Sequence, residues 1–152
     1  MTDENNKAVS VLNDLIETCK DGEQGFRSAA ENLKSPTIKA KFLEYAAERA
    51  QIGRQLQAEV RRLGGEPENA GSTTGALHRG WFDLKAVLTG GDDDAIVAEA
   101  ERGEDVAKAA FDAALTKPLP PLTETLVHQD AAKVHRVHDE VRSIRDRHVA
   151  LK

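Results

Sequence analysis

Residues 36–65, PTIKAKFLEYAAERAQIGRQLQAEVRRLGG, decide the fold of this chain. Pro36 suits the first turn of a helix and Gly64-Gly65 ends one, so the segment is predicted to be a single long helix. Apolar side chains recur along it in steps of three and four residues, which marks one face of a helix. This apolar seam contains Ile38, Phe42, Tyr45, Ile52, Leu56 and Leu63, with Arg49 in the remaining slot.

The residues before Pro36 predict another helix, from about Lys7 to Asn32, with the same kind of seam. Its apolar members are Val9, Leu12, Ile16, Cys19, Phe26, Ala30 and Leu33. Glu23 fills the slot between Cys19 and Phe26, where a core residue is expected. Because the connection at Ser35-Pro36 is short, the two helices are predicted to be antiparallel neighbours.

The stretch from Glu66 to Asp94 is too long for a simple turn and predicts a structured crossover. A short amphipathic helix is expected within it, since Leu77, Trp81, Leu84 and Leu88 recur at helical spacing. The large apolar body of Trp81 is expected to pack over the bundle. Three acids follow, residues 92–94, and we expect them to cap the start of the next helix.

Two further helices are predicted after the crossover. The third core helix carries a stripe of small residues that includes Gly103, and next to it Glu104 lies between apolar neighbours. After the proline-rich break at residues 117–121, Thr123 or a neighbour opens the last helix, with Leu122, Leu126, Val134, Val137, Val141 and Ile144 in its seam and Asp130 in a further slot. The prediction is one all-α domain over residues 1–152, an antiparallel four-helix bundle of the ferritin-like kind.

Charge and composition argue against several classes of function. The net charge of −5 opposes binding to nucleic acid, and no apolar run approaches the length of a membrane span, so we expect neither partner. Cys19 is the only cysteine and is expected to be a buried, inert thiol. The start MTDENNK is too polar for a secretory signal, and we expect a cytoplasmic protein.

Three separated segments resemble a bacterial family of small ferritin-like four-helix-bundle proteins without an assigned activity. They are LNDLIETCKDGEQGF, GSTTGALHRGW and ERGEDVAKAAF. The resemblance implies a distant similarity to bacterioferritin and rubrerythrin bundles. In such di-iron proteins two helices each supply a glutamate and the other two each supply a Glu-x-x-His pair.

Compared with that pattern, the resemblance implies that the ligand set of this chain is depleted. The candidates that remain for a metal are Glu48, Glu104, His135 and His138. Cys19 and Gln51 stand at ligand positions as weaker donors. Two carboxylates are too few to charge-balance a di-iron pair, although with imidazoles they suit a single iron, manganese or zinc ion.

These residues leave two hypotheses open. The first is a non-enzymatic bundle without a cofactor, with a possible stress-related role, which acts through protein contacts and forms a homodimer. The alternative is a ferritin-like protein with one divalent metal ion, acting as a binder or an oxidase. A buried or half-buried pair between Glu23 and Arg49 is also predicted, since a hairpin joined near residue 35 places them opposite each other; its arginine would compete with a metal for space.

Overall fold

The computed structural model describes residues 2–69, 81 and 91–150, which contain four helices and no strand. They are α1 (Asp3–Asn32), α2 (Pro36–Arg62), α3 (Asp93–Ala114) and α4 (Pro121–Ala150). Helix α1 packs against α2 and α3, and α4 packs against α3 and α2, so the four axes form a square. The predicted four-helix bundle is confirmed. The short extra helix predicted in the crossover lies outside the described residues, apart from Trp81.

The helix ends follow from local sequence chemistry. Thr2, Ser35 and Asp92 each accept a hydrogen bond at their side chain from the backbone N–H three residues later, which caps α1, α2 and α3. Pro36 occupies the first turn of α2, as predicted. Gly64 terminates this helix with φ 89°, a left-handed conformation that glycine adopts at little cost.

The core consists of two apolar clusters stacked along the bundle. One is mainly aliphatic and contains Leu12, Ile16, Leu56 and Val127. The other is aromatic and contains Phe26, Phe42, Tyr45 and Trp81. Trp81 is 2% exposed, so the expectation that its ring packs on the bundle is confirmed. Among the helices that the structure describes, none combines the length and apolar character needed to span a bilayer.

One predicted seam residue is wrong. Leu122 is 67% exposed rather than buried. Helix α4 begins at Pro121, so Leu122 stands in its first turn, and the neighbouring Thr123 is the residue that points inward. Leu119, in the connection before the helix, is buried and takes the apolar place at this end of the core.

Candidate functional site at the bundle centre

A polar layer lies where the two apolar clusters meet. It contains Arg49 of α2 and Glu104 of α3, which are 1% and 0% exposed. The Arg49 Nη2 donates to both carboxylate oxygens of Glu104 at 2.8 Å. The guanidinium also lies 5.8 Å from the centroid of the Phe26 ring, within the range of a cation–π contact. The pair joins helices that no short loop connects.

The contacts of this pair favour its charged form. Arginine stays protonated, and its Nη2 lies 2.8 Å from both Glu104 oxygens, which is the arrangement of a charge-assisted pair with an ionised carboxylate. Burial alone would lower the pKa of Arg49, but the charge of Glu104 raises it above its usual value. Burial raises the pKa of the Glu104 carboxyl, and Arg49 opposes that shift. The centre therefore holds a desolvated ion pair.

The predicted pair between Glu23 and Arg49 is wrong. Glu23 instead pairs with Arg27 one turn later on α1, at 3.1 Å. Arg49 lies against Gly22, where an added Cβ would be only 2.6 Å from its Nη1. The absence of a side chain at Gly22 lets the arginine pass α1 and reach across the core to α3.

The residues of this layer do not fit a di-metal centre. Such a centre needs several carboxylates that converge on the metal ions. Here both oxygens of Glu104 are taken by Arg49, whose positive charge repels a divalent cation. No group of three or more His, Cys, Asp or Glu side chains stands in metal-binding arrangement within residues 2–69, 81 and 91–147.

The structure places the other candidate ligands apart. Glu48 pairs with Arg136 of α4, which also pairs with Glu140 at 3.1 Å. His135 lies near the surface, with its Nε2 2.6 Å from Asp112 Oδ1. Gln51 is exposed and accepts a hydrogen bond from Arg54 at 2.9 Å. Each of these side chains has a partner of its own rather than a shared centre.

His138 is 4% exposed and has carboxylates at both ring nitrogens. Its Nε2 lies 2.7 Å from Asp105 Oδ1 on α3, and its Nδ1 lies 3.1 Å from Asp139 Oδ1. Carboxylates at both ring nitrogens favour the doubly protonated ring, in which both nitrogens donate, and these hydrogen bonds raise the pKa of His138. A protonated imidazole has no lone pair for a metal ion.

Two more buried groups adjoin the layer. Burial raises the pKa of the Cys19 thiol to about 12, which agrees with the prediction of an inert thiol. Asp130 is 1% exposed, and neither carboxylate oxygen has a hydrogen-bond partner among the described residues. Lys133 Nζ lies 3.9 Å away, and burial raises the pKa of Asp130 to about 6.

Sequence reasoning missed several contacts of this region. Glu104 and Arg49 were both recognised in seam slots, but not as partners. Asp105 and Asp139 were not recognised as partners of His138; Asp139 is its direct neighbour in the sequence, whereas Asp105 lies on another helix and gave no local signal. The hydrogen bond from the buried Thr123 of α4 to the carboxylate of Glu59 could not be predicted from the local sequence either.

The fold and the polar layer together define a ferritin-like four-helix bundle with an ion pair at its centre. A mutant of Mycobacterium smegmatis Dps1 is similar in structure, with a TM-score of 0.76 at 13% sequence identity, and the match covers 95% of this chain and 99% of that one. At this identity the similarity supports the fold alone.

The family model described as "Domain of unknown function (DUF2383)" matches residues 7–117. The chain belongs to this family. None of the curated proteins matches the sequence.

Proposed function

We propose that this protein is a ferritin-like bundle that acts through contacts with other proteins and does not use a metal at its centre. The observation that carries this proposal is the buried pair of Arg49 and Glu104. A guanidinium supplies, from within the chain, the positive charge that a metal ion would otherwise bring to Glu104. The pair has the properties of a structural element that holds α2 to α3.

The alternative function is a bundle with one iron, manganese or zinc ion held by Glu48, Glu104, His135 and His138. The partners of these four side chains weigh against it. A metal would have to displace Arg49 from Glu104, displace Arg136 from Glu48, and remove a proton from His138. Each step leaves a charge without its partner, and for the buried pair this cost is large.

Metal analysis distinguishes the two functions. The protein is purified without chelator, and iron, manganese and zinc are measured per chain in the wild type and in Glu104→Gln. We expect all three metals to be far below one per chain in both proteins and added ferrous ion to be oxidised no faster than in buffer. One metal per chain in the wild type that disappears in Glu104→Gln would establish the alternative.

The surface of α4 offers a place for the protein contacts. A shallow groove of about 730 Å³ runs along it. Its lining combines small residues with charges of both signs, and includes Ala132, His135, Arg136, Asp139 and Ser143. We propose a second copy of the chain as the partner at this face, because a surface with both signs of charge can be complementary to itself across a twofold axis.

A further inference from the structure

Two glycines in the middle of long helices face the same aromatic ring. Gly25 lies in α1 and Gly103 in α3, where glycine is among the least favourable residues for a helix. A Cβ at Gly25 would lie 2.5 Å from Trp81 Cδ2, and one at Gly103 would lie 2.3 Å from Trp81 Cε2 and Nε1. Both distances are far below van der Waals contact. Neither position accepts a side chain unless the indole moves.

Besides Gly25 and Gly103, an aromatic side chain also borders the Trp81 indole. The Phe26 ring meets the Trp81 ring edge to face, with centroids 5.1 Å apart and planes at 75°. Phe26 in turn contacts Phe42 and Tyr45 of α2, at centroid distances of 5.2 and 5.4 Å. Edge-to-face packing stabilises such a cluster beyond the burial of its area. The indole is therefore surrounded by α1 and α3 and is joined to α2 through Phe26.

The three segments that carried the family resemblance meet at this point. Gly25 and Phe26 come from the first, Trp81 from the second and Gly103 from the third. The space between Gly25, Phe26 and Gly103 is called the indole socket below. Two unfavourable helix residues on opposite sides of one buried ring indicate a socket shaped to that ring.

We propose that Trp81 is a latch: its indole, seated in the indole socket, fixes the crossover to the bundle and couples the α1–α2 hairpin to the α3–α4 hairpin. Emptied of Trp81, the socket is a flat apolar slot between two glycines and takes a free bicyclic aromatic molecule of the size of indole. An engineered cavity with apolar walls binds small aromatic molecules in the same manner. The latch acts independently of any metal content of the bundle.

Glycine substitutions test the socket with the indole still present. In Gly25→Ala and in Gly103→Ala the new methyl group displaces the ring, so Trp81 fluorescence should shift to longer wavelength. Overpacking at this site is expected to lower Tm by about 5 °C. Because Trp81 is the only tryptophan, its emission reports on the socket directly.

Gly53→Ala is the matched control. It also lies inside a long helix, but its Cβ would be 3.6 Å from Cys19 Cβ, an ordinary contact. We expect wild-type emission and a Tm that is unchanged or raised by about 2 °C, since alanine favours a helix. Wild-type emission and Tm in both socket variants would overturn the proposal.

Removal of the Trp81 side chain tests whether the empty indole socket binds free indole. Free indole is added to Trp81→Ala, and its Tm is compared with that of the wild type under the same conditions. We expect indole to raise the Tm of the variant and to leave the wild type, whose socket is full, unchanged. A variant that folds and gains no stability from indole contradicts the proposal.

A second variant keeps the test decisive if Trp81→Ala does not fold. Trp81→Phe retains an aromatic ring but leaves part of the socket empty, and it is expected to fold with a lower Tm than the wild type. Loss of folding in Trp81→Ala together with this lower Tm supports the coupling of the two hairpins. A wild-type Tm in Trp81→Phe excludes a socket shaped to indole.

Discussion

At the scale of single residues, Arg49 and Glu104 stabilise the bundle only together, because each charge compensates the burial of the other. Taking one partner away leaves a desolvated charge with no compensation, which costs about 3 kcal/mol or more. Replacing both by apolar side chains removes the desolvation cost together with the attraction. Arg49→Met and Glu104→Leu should therefore each reduce the free energy of unfolding by about 3 kcal/mol, and the double variant should recover most of that loss.

Urea denaturation of the three variants measures this coupling. Glu23→Gln is the control, because its partner Arg27 is 53% exposed and a pair of that kind contributes less than about 1 kcal/mol. Losses that simply add in the double variant would show that Arg49 and Glu104 stabilise the bundle independently, against the role assigned to them here.

His138 makes part of the stability depend on pH. Burial alone lowers its pKa, but hydrogen bonds to Asp139 and Asp105 raise the pKa of His138 above its ordinary value. A raised folded-state pKa gives stability that is complete below the unfolded-state pKa of about 6.5 and is lost as pH rises through the folded-state value. His138→Gln should be less stable than the wild type by about 1 to 2 kcal/mol at pH 5.5, with a difference that shrinks in alkaline buffer.

The stability of both proteins is measured by urea denaturation across that pH range. His128→Gln serves as the control, since the His128 side chain is 60% exposed and lies 3.7 Å from Glu124. A deficit of His138→Gln that grows with pH has the opposite sign and would show that His138 is neutral in the native protein.

Asp130 is the residue whose ionisation should destabilise the bundle. Its folded-state pKa of about 6 lies above that of an ordinary aspartate, because burial disfavours the carboxylate. Stability is complete below the unfolded-state value near pH 4 and is lost as pH rises through 6. Asp130→Asn should match the wild type near pH 4 and exceed it by about 2 kcal/mol at pH 8. Thermal unfolding at the two pH values decides the point, with the exposed Asp14→Asn as control.

At the scale of elements, Asp93 ties the start of α3 to the turn between α1 and α2. Its two carboxylate oxygens accept from the backbone N–H groups of Lys34 and Ser35, at 2.8 and 2.9 Å. The neighbouring Asp92 caps its own helix through Ala95. Both satisfy backbone donors at helix ends or turns, and Asp93 does so across the two hairpins.

Asp93→Ala should therefore reduce the free energy of unfolding by about 2 kcal/mol, and Asp92→Ala by about 1 kcal/mol. Asp93→Asn keeps one acceptor oxygen and should fall between Asp93→Ala and the wild type. Chemical denaturation ranks the three variants. Equal losses in Asp92→Ala and Asp93→Ala would mean that Asp93 acts only as a residue of the first helical turn.

The elements themselves were predictable because their signals are local. Steps of three and four residues marked the seams, and Pro36 and Gly64 marked the ends of α2. The partner of Arg49 was not predictable in the same way. Glu23 was favoured because the short α1–α2 turn sets its register, whereas the register of Glu104 depends on how α3 packs after a long crossover. Gly22 leaves room for the Arg49 side chain to pass α1 and reach Glu104, and this effect appears only once the helices are packed.

At the scale of the whole molecule, the bundle consists of two helical hairpins, and α1 and α3 contact each other more extensively than α2 and α4 do. Between α1 and α3 the Trp81 indole fills the indole socket and contacts both helices at their glycines. Between α2 and α4 the contact is sparser, and long polar side chains bridge it: Tyr45 to Glu140, Glu48 to Arg136 and Glu59 to Thr123. The groove lies along α4 beside the end of α3, which contributes Asp112 and Leu115 to its lining.

A twofold axis near residue 137 would set two α4 helices antiparallel across this groove. Residues equidistant from the axis then face each other, so Arg136 meets Asp139 of the second copy and His135 meets Glu140. Opposite charges stand together at the two contacts between Arg136 and Asp139, His135 lies within reach of a hydrogen bond to Glu140, and the small Ala132 and Ser143 face each other farther out. The pattern predicts a homodimer that weakens as salt screens these charges.

Light scattering across a range of protein concentrations and salt tests this prediction. Ala132 is exposed, so Ala132→Arg leaves the core intact but places a bulky cation in the groove; the dimer should be lost and the Tm of the monomer kept. Ala58→Arg, also at an exposed position but on α2 and outside the groove, is expected to dimerise like the wild type. A wild type that remains monomeric at its highest soluble concentration, or a dimer that Ala132→Arg and Ala58→Arg affect alike, excludes α4 as the interface.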